Sequence, residues 1–152
     1  MEGRDKLTLN EVLKILKTVQ TVKKIDDLKE EIANIIPYIK NMFKYDQKNL
    51  VHQFDLWMHT LHTVINIPRN IDDDMLYLAA LLHDIGKPAS KKLGERNGKI
   101  NMHYPGHPRK SMQIVRDAII PDLENKGYKL SIDEKSRLLY YVEYHDALVA
   151  RK

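Results

Sequence analysis

Apolar positions recur along most of the chain at three- and four-residue steps, the period of an α-helix with one buried face. From Leu9 to about Val22 the set is Leu9, Val12, Leu13, Leu16 and Val19. A second set, Leu28, Ile32, Ile35, Ile36, Ile39 and Phe43, follows Asp26 and Asp27. Either aspartate can cap that helix, with Glu30 or Glu31 in the capping-box position. Pro37 falls inside the pattern and predicts a kink or break. Tyr45 to Val51 is polar and reads as a connection. A third helix is predicted from about Phe54 to Ile67, with Phe54, Met58, Leu61 and Ile65 on one face and Asp55, His59 and His62 on another.

The next segment changes character. Asp72, Asp73 and Asp74 stand where acids suit a helix N-terminus, and the run Met75 to Leu82 is then apolar on nearly every side. Such a helix in a soluble protein is central and buried. Gly86 and Pro88 predict its end at about Ile85. Residues 87 to 105 read as a long loop in which Lys99 to His103 fits a short strand. A fifth helix is predicted from about Pro108 to Leu123, broken near Pro121. The last helix opens at Ser131 with Glu134 at capping-box spacing and runs to about Ala150. The expected fold class is all-α.

Composition limits the chemistry. The 152 residues contain no cysteine and seven histidines, so a disulfide scaffold, a thiolate nucleophile and a Cys-based zinc or Fe–S site are excluded. Any metal needs nitrogen and oxygen ligands. No apolar run approaches the roughly 18 residues of a membrane span, and the N-terminus lacks a signal-peptide core, so a soluble, cytoplasmic protein without membrane contact is expected. The net charge of +4 is local: Lys87 to Lys110 carries +6 and the other 128 residues carry −2. That window is suited to draw in an anion by attraction that weakens with salt.

His83-Asp84 closes the most apolar helix, where charged groups must be paired or bound to metal. His59 lies on another helix, and a second pair, His145-Asp146, lies on the last one. Helices that turn such ligands inward build metal sites in bundle cores. A mixed imidazole and carboxylate set suits Mn, Fe, Co, Ni, Zn or Mg.

The pattern His59 … His83-Asp84 … Asp146 resembles the HD-domain metal-dependent phosphohydrolases, and Ala79 to Pro88 is similar to that family's central motif. Trp57-Met58-His59-Thr60-Leu61, His83 to Pro88, Gly106-His107 and Tyr144-His145-Asp146 look closest to the HD domain attached to bacterial CCA-adding tRNA nucleotidyltransferases. The likeness covers about residues 43 to 149, with the blocks in the same order. It implies an N-terminal helical extension over 1–48 and an HD domain over 49–152. It further implies that His59, His83, Asp84 and Asp146 are the metal ligands. Asp84 would bridge to a second ion held with His107 and His145, which in one-metal relatives touch phosphate instead. Lys87 matches a lysine beside the substrate phosphate. Asp84, Lys87, His107 and His145 are therefore the expected catalytic residues.

The chemistry agrees. A bound divalent cation lowers the pKa of its water and so removes the need for a side-chain nucleophile. The cation and Lys87 would stabilise phosphoryl charge, and His107 or His145 could protonate the leaving oxygen. The chain lacks the nucleotidyltransferase signature of a Gly-Ser loop with paired aspartates, so CCA addition is not expected. Ser111 stands where many relatives have Gly. Relatives also continue further beyond the position of Asp146, which leaves one wall of the pocket to be supplied. The expected function is hydrolysis of a nucleotide phosphomonoester or 2′,3′-cyclic phosphodiester, with a phosphate-containing small molecule as partner. The alternative is a catalytically weak HD module that binds RNA, for which Tyr104 and Tyr128 are the loop aromatics, or a protein. The apolar faces of the first two helices can pack on the domain or on a second copy, which leaves a homo-oligomer open.

Overall fold

The computed structural model describes residues 7–43, 55–90, 92–96, 99–103 and 107–145. The chain is an all-α bundle with one β-hairpin inserted before its last third. Helix α1 (Leu9–Thr18) is opened by a capping box, in which the Thr8 hydroxyl accepts from the Glu11 N–H and the Glu11 carboxylate accepts from the Thr8 N–H. The expected continuation to Val22 is interrupted at Val19, and α2 (Val22–Asp26) is a separate short helix. Asp26 does not cap the following helix. It ends α2 and accepts a hydrogen bond from the Trp57 indole Nε1 at 2.9 Å, since a buried indole N–H needs a partner.

Helix α3 (Lys29–Ile35) carries Glu30 and Glu31 in its first turn and stops two residues before Pro37. The residue before a proline is pushed to extended backbone, and Ile36 adopts it. A 3₁₀ turn (Ile39–Met42) follows. Leu9, Val12, Leu13, Leu16, Ile25 and Ile32 are all buried in the chain's own core, so the apolar faces of the first helices are covered intramolecularly.

Helix α4 (Leu56–Ile65) is rotated from the expected register. Asp55 is its N-cap, accepting from the Met58 N–H at 2.8 Å, and is not part of a polar helical face. The core side is Leu56, Trp57, Thr60, Leu61 and Val64, while Met58 and Ile65 are only half-buried. Trp57 carries more apolar area than Met58, which turns the helix toward the indole.

Helix α5 (Asp74–Leu82) is the centre of the molecule. Seven of its residues, Met75 and Tyr77 to Leu82, are buried, as its all-round apolar pattern demands. It packs against α1, α4 and the last helix, α9 (Ile132–Glu143). Its acidic lead-in ties these together. Lys17 of α1 bridges Asp72 and Asp74 at 2.8 and 2.7 Å. Asp73 is the N-cap and also accepts from Arg137 (2.6 Å) and the Tyr141 hydroxyl (2.7 Å) of α9. Burial pushes the Asp73 carboxyl up, but Tyr141 and Arg137 outweigh it and hold the group below its usual range.

Helix α5 ends at Leu82, three residues before the expected position. A turn over 83–86 then leads into α6 (Lys87–Ser90). The expected loop holds an antiparallel hairpin, β1 (Lys92–Arg96) with β2 (Lys99–His103), paired from Lys92↔His103 to Arg96↔Lys99. The strand expected over Lys99 to His103 is therefore present, with an unforeseen partner. Beyond it, α7 (His107–Ile114), a π turn (Val115–Ile119) and α8 (Ile120–Asn125) run as one helix. The break expected near Pro121 is absent. Proline lacks an N–H and crowds the carbonyl four residues back, and the wider π turn directly before it relieves both. The last helix has the capping box expected at Ser131 and Glu134. No described helix is long and apolar enough to cross a membrane.

Candidate metal centre

Three elements bring one charged cluster together at the C-terminal end of α5. His83 caps that helix, Asp84 follows in the turn, and His59 comes from the first half of α4. The Asp84 carboxylate is the hub. Its Oδ2 lies 3.1 Å from His83 Nε2, 3.4 Å from His59 Nε2 and 3.6 Å from Lys87 Nζ. Asp84, His83 and Lys87 are buried, and the His59 side chain keeps 32% of its exposure, giving the cluster an open side.

The His83 ring is oriented by the backbone. Its Nδ1 lies 2.7 Å from the Ala80 carbonyl oxygen, which can only accept, so that nitrogen carries a proton. In the neutral ring, Nε2 then presents a lone pair to a buried carboxylate oxygen at 3.1 Å. Two acceptors cannot face each other there without a positive charge between them, either a proton or a cation. A divalent ion fits. Bonds of about 2.1 Å set neighbouring ligand atoms roughly 3.0–3.4 Å apart, and one atom from each of His59, His83 and Asp84 lies within 4.8 Å of the others. The Ala80 carbonyl supplies the outer hydrogen bond that metal-ligating histidines commonly have.

His145, just past the Tyr144 cap at which α9 ends short of the expected Ala150, stacks on His83 with ring centroids 4.0 Å apart and planes 26° apart. It is 4% exposed, and its Nδ1 has no hydrogen-bond partner among the described residues. Burial, helped by the neighbouring His83, pushes the imidazole down to about 3 against the opposing pull of Asp84. His145 is thus a neutral ring with a buried Nδ1 beside the cluster. Asp146 lies outside the described residues. His107 opens α7, and its side chain also lies outside the description.

The turn that presents Asp84 is fixed from α7. The Gly86 N–H donates to the buried Ser111 Oγ at 2.7 Å. A Cβ on Gly86 would lie 2.6 Å from the Ser111 N and 2.9 Å from its Oγ. Glycine is required here by close approach, and the Ser111 hydroxyl supplies the acceptor. Gly86→Ala should cost about 1–3 kcal/mol through overpacking and weaken metal binding by displacing Asp84. Thermal melts with and without Mn²⁺ measure both, and a wild-type melt in each condition would refute the lock.

Sequence reasoning missed this lock, the Ala80 carbonyl and the His83–His145 stack. Only the last had a signal, the parallel His-Asp pairs. Lys87, counted in the +6 window, is buried against Asp84.

A buried histidine–aspartate cluster able to hold a divalent ion, set between helices of an all-α bundle, defines a metal-site protein of nitrogen and oxygen ligands. The HD domain family matches residues 50–146, and the chain belongs to that family. HD domains are generally metal-dependent phosphohydrolases. No curated protein and no solved structure matches the chain.

Proposed function

We propose that the chain hydrolyses a nucleotide phosphomonoester or 2′,3′-cyclic phosphodiester, with His59, His83, Asp84 and Asp146 holding one divalent ion. The observation that carries this reading is the convergence of His59 Nε2 and His83 Nε2 on one Asp84 oxygen, at 3.4 and 3.1 Å, a nitrogen and oxygen set close enough to share an ion. The HD-domain match supports the reaction class, and the closer likeness of the motif blocks to the domain of CCA-adding enzymes supports the nucleotide. The division into an extension over 1–48 and a catalytic domain over 49–152 belongs to the same reading.

A divalent ion held by these residues would supply polarisation of a water and of the phosphoryl oxygens. Asp84 would hold the ion and orient that water by accepting its hydrogen bond. Lys87, within reach of the same carboxylate, neutralises charge building on the phosphoryl group. His107 gives a proton to the leaving oxygen. His145 would offer its buried Nδ1 to phosphate or to a second ion.

The test is metal analysis followed by phosphate release from mononucleotides and cyclic nucleotides with Mn²⁺, Co²⁺, Ni²⁺ or Mg²⁺. Metal-dependent turnover is expected. Its absence for every nucleotide would sink the reading and leave a binding module. Lys87→Ala separates charge stabilisation from metal binding. Release should fall by about 10²-fold or more, while metal content holds, because Lys87 competes with the ion for Asp84. Lost metal would assign Lys87 to the structure of the site instead.

A further inference from the structure

Three of the four exposed large hydrophobic residues among those described, Ile132, Tyr140 and Tyr144, stand on one row of α9 at multiples of four residues. Tyr140 is 53% and Tyr144 47% exposed, and their rings lie 4.9 Å apart at 43°. The buried face of α9 is Leu138 and Val142, and the tyrosine pair in solvent has no role in it. Its place is informative. Tyr144 immediately precedes His145, which stacks on His83, so the row begins at the rim of the metal cluster.

Cations stand beside it. Helix α7 packs on α9, and Arg109 Nη1 comes within 3.9 Å of Glu143, the residue before Tyr144. The Arg109 side chain is 70% exposed, and Lys110 is exposed as well. Both belong to the +6 window of the sequence. Aromatic faces for bases beside cations for phosphates are how proteins hold unpaired nucleic acid.

We propose that Tyr140 and Tyr144, with Arg109 and Lys110, bind a single-stranded oligonucleotide whose terminal phosphate lies at the metal cluster. This rests on the phosphohydrolase reading and narrows its substrate from a free nucleotide to the phosphorylated end of a strand. Tyr144 takes the base nearest the phosphate. Tyr140, one turn or about 6 Å further along the axis, takes the next. A protein partner is the lesser candidate, because the site-proximal end of the row is aromatic and flanked by charge rather than aliphatic.

The experiment is fluorescence anisotropy of a labelled RNA of about ten nucleotides, ending in a 3′-hydroxyl so that no terminal phosphate is cleaved, against the full chain. Saturable binding is expected. It should weaken about tenfold or more in Tyr140→Ala/Tyr144→Ala and be kept by the Tyr→Phe pair, which preserves the stacking faces. Arg109→Ala/Lys110→Ala should lower the slope of log affinity against log salt by roughly 0.7 per lost contact. Melts of each variant verify folding. Equal affinity of the tyrosine-to-alanine pair and wild type would overturn the proposal, as would the absence of RNA binding. Failure of the catalytic reading shows separately, as wild-type protein that releases no phosphate from any nucleotide with any metal.

Discussion

Asp84→Asn will leave the protein without its metal and without phosphohydrolase activity. The amide keeps the shape of the side chain but loses the charge that faces His83 Nε2, His59 Nε2 and Lys87 Nζ at 3.1, 3.4 and 3.6 Å. Loss of an outer partner of a metal ligand alone costs roughly 10–100-fold in affinity. Loss of the charged ligand itself should exceed that, and turnover should fall by about 10³-fold or more. The variant also leaves Lys87 buried beside a neutral amide, which should lower metal-free stability by about 1–3 kcal/mol. Because a ligand that binds only the folded state stabilises it, Mn²⁺ should raise the melting temperature of wild type and not of Asp84→Asn. Stoichiometric metal in the variant would refute the assignment of Asp84 as a ligand, whatever its activity.

The residues of that experiment were readable in the sequence for a physical reason. A helix apolar on every side has to be central, so a histidine and an aspartate at its end have to be explained by a partner. The run Met75 to Leu82 and the pair His83-Asp84 carry that argument without help from distant positions. The capping box at Ser131 and Glu134 was legible on the same terms, since it rests on a spacing of three residues. What failed was rotation. Asp55, four residues before His59, fits a helical face and an N-cap equally well, and only the burial of Trp57 decides between them. Tyr140 shows the same limit. Its neighbours Leu138 and Val142 are buried, yet it is 53% exposed. The inner and outer faces of a helix end are set by what packs on it, and here that is α5 and α7, which are far away in sequence.

Arg69→Ala will unfold the chain more readily than any single change at the metal cluster while leaving that cluster's affinity for metal intact. Arg69 sits in the turn after α4. Its Nη1 donates to the carbonyls of Leu16 (2.9 Å), Lys17 (3.2 Å) and Val19 (2.9 Å) at the end of α1. Its Nη2 donates to Val64 (2.8 Å) at the end of α4, and its Nε to Ile67 (3.2 Å). The guanidinium lies 5.1 Å from the Tyr77 ring centre, and the Tyr77 hydroxyl in turn donates to Pro68 and Ile71. One cation thus satisfies the orphan carbonyls of two helices and sits where both helix dipoles favour positive charge. Alanine removes all of this and should cost about 2–4 kcal/mol, a large share of the roughly 5–15 kcal/mol that holds a domain folded. At about 2–4 °C per kcal/mol for a chain of this size, the melting temperature should drop by roughly 5–15 °C. Arg69→Lys should recover little of it, because a point charge cannot serve carbonyls of two helices as the planar fork does. The network lies at the N-terminal end of α5 and the metal cluster beyond its other end, about 13 Å away along the helix. Below its melting range the variant should therefore bind Mn²⁺ as wild type does. A melt indistinguishable from wild type would show that the five hydrogen bonds carry no net stability, and weakened metal binding in the folded variant would show that α5 transmits strain along its length.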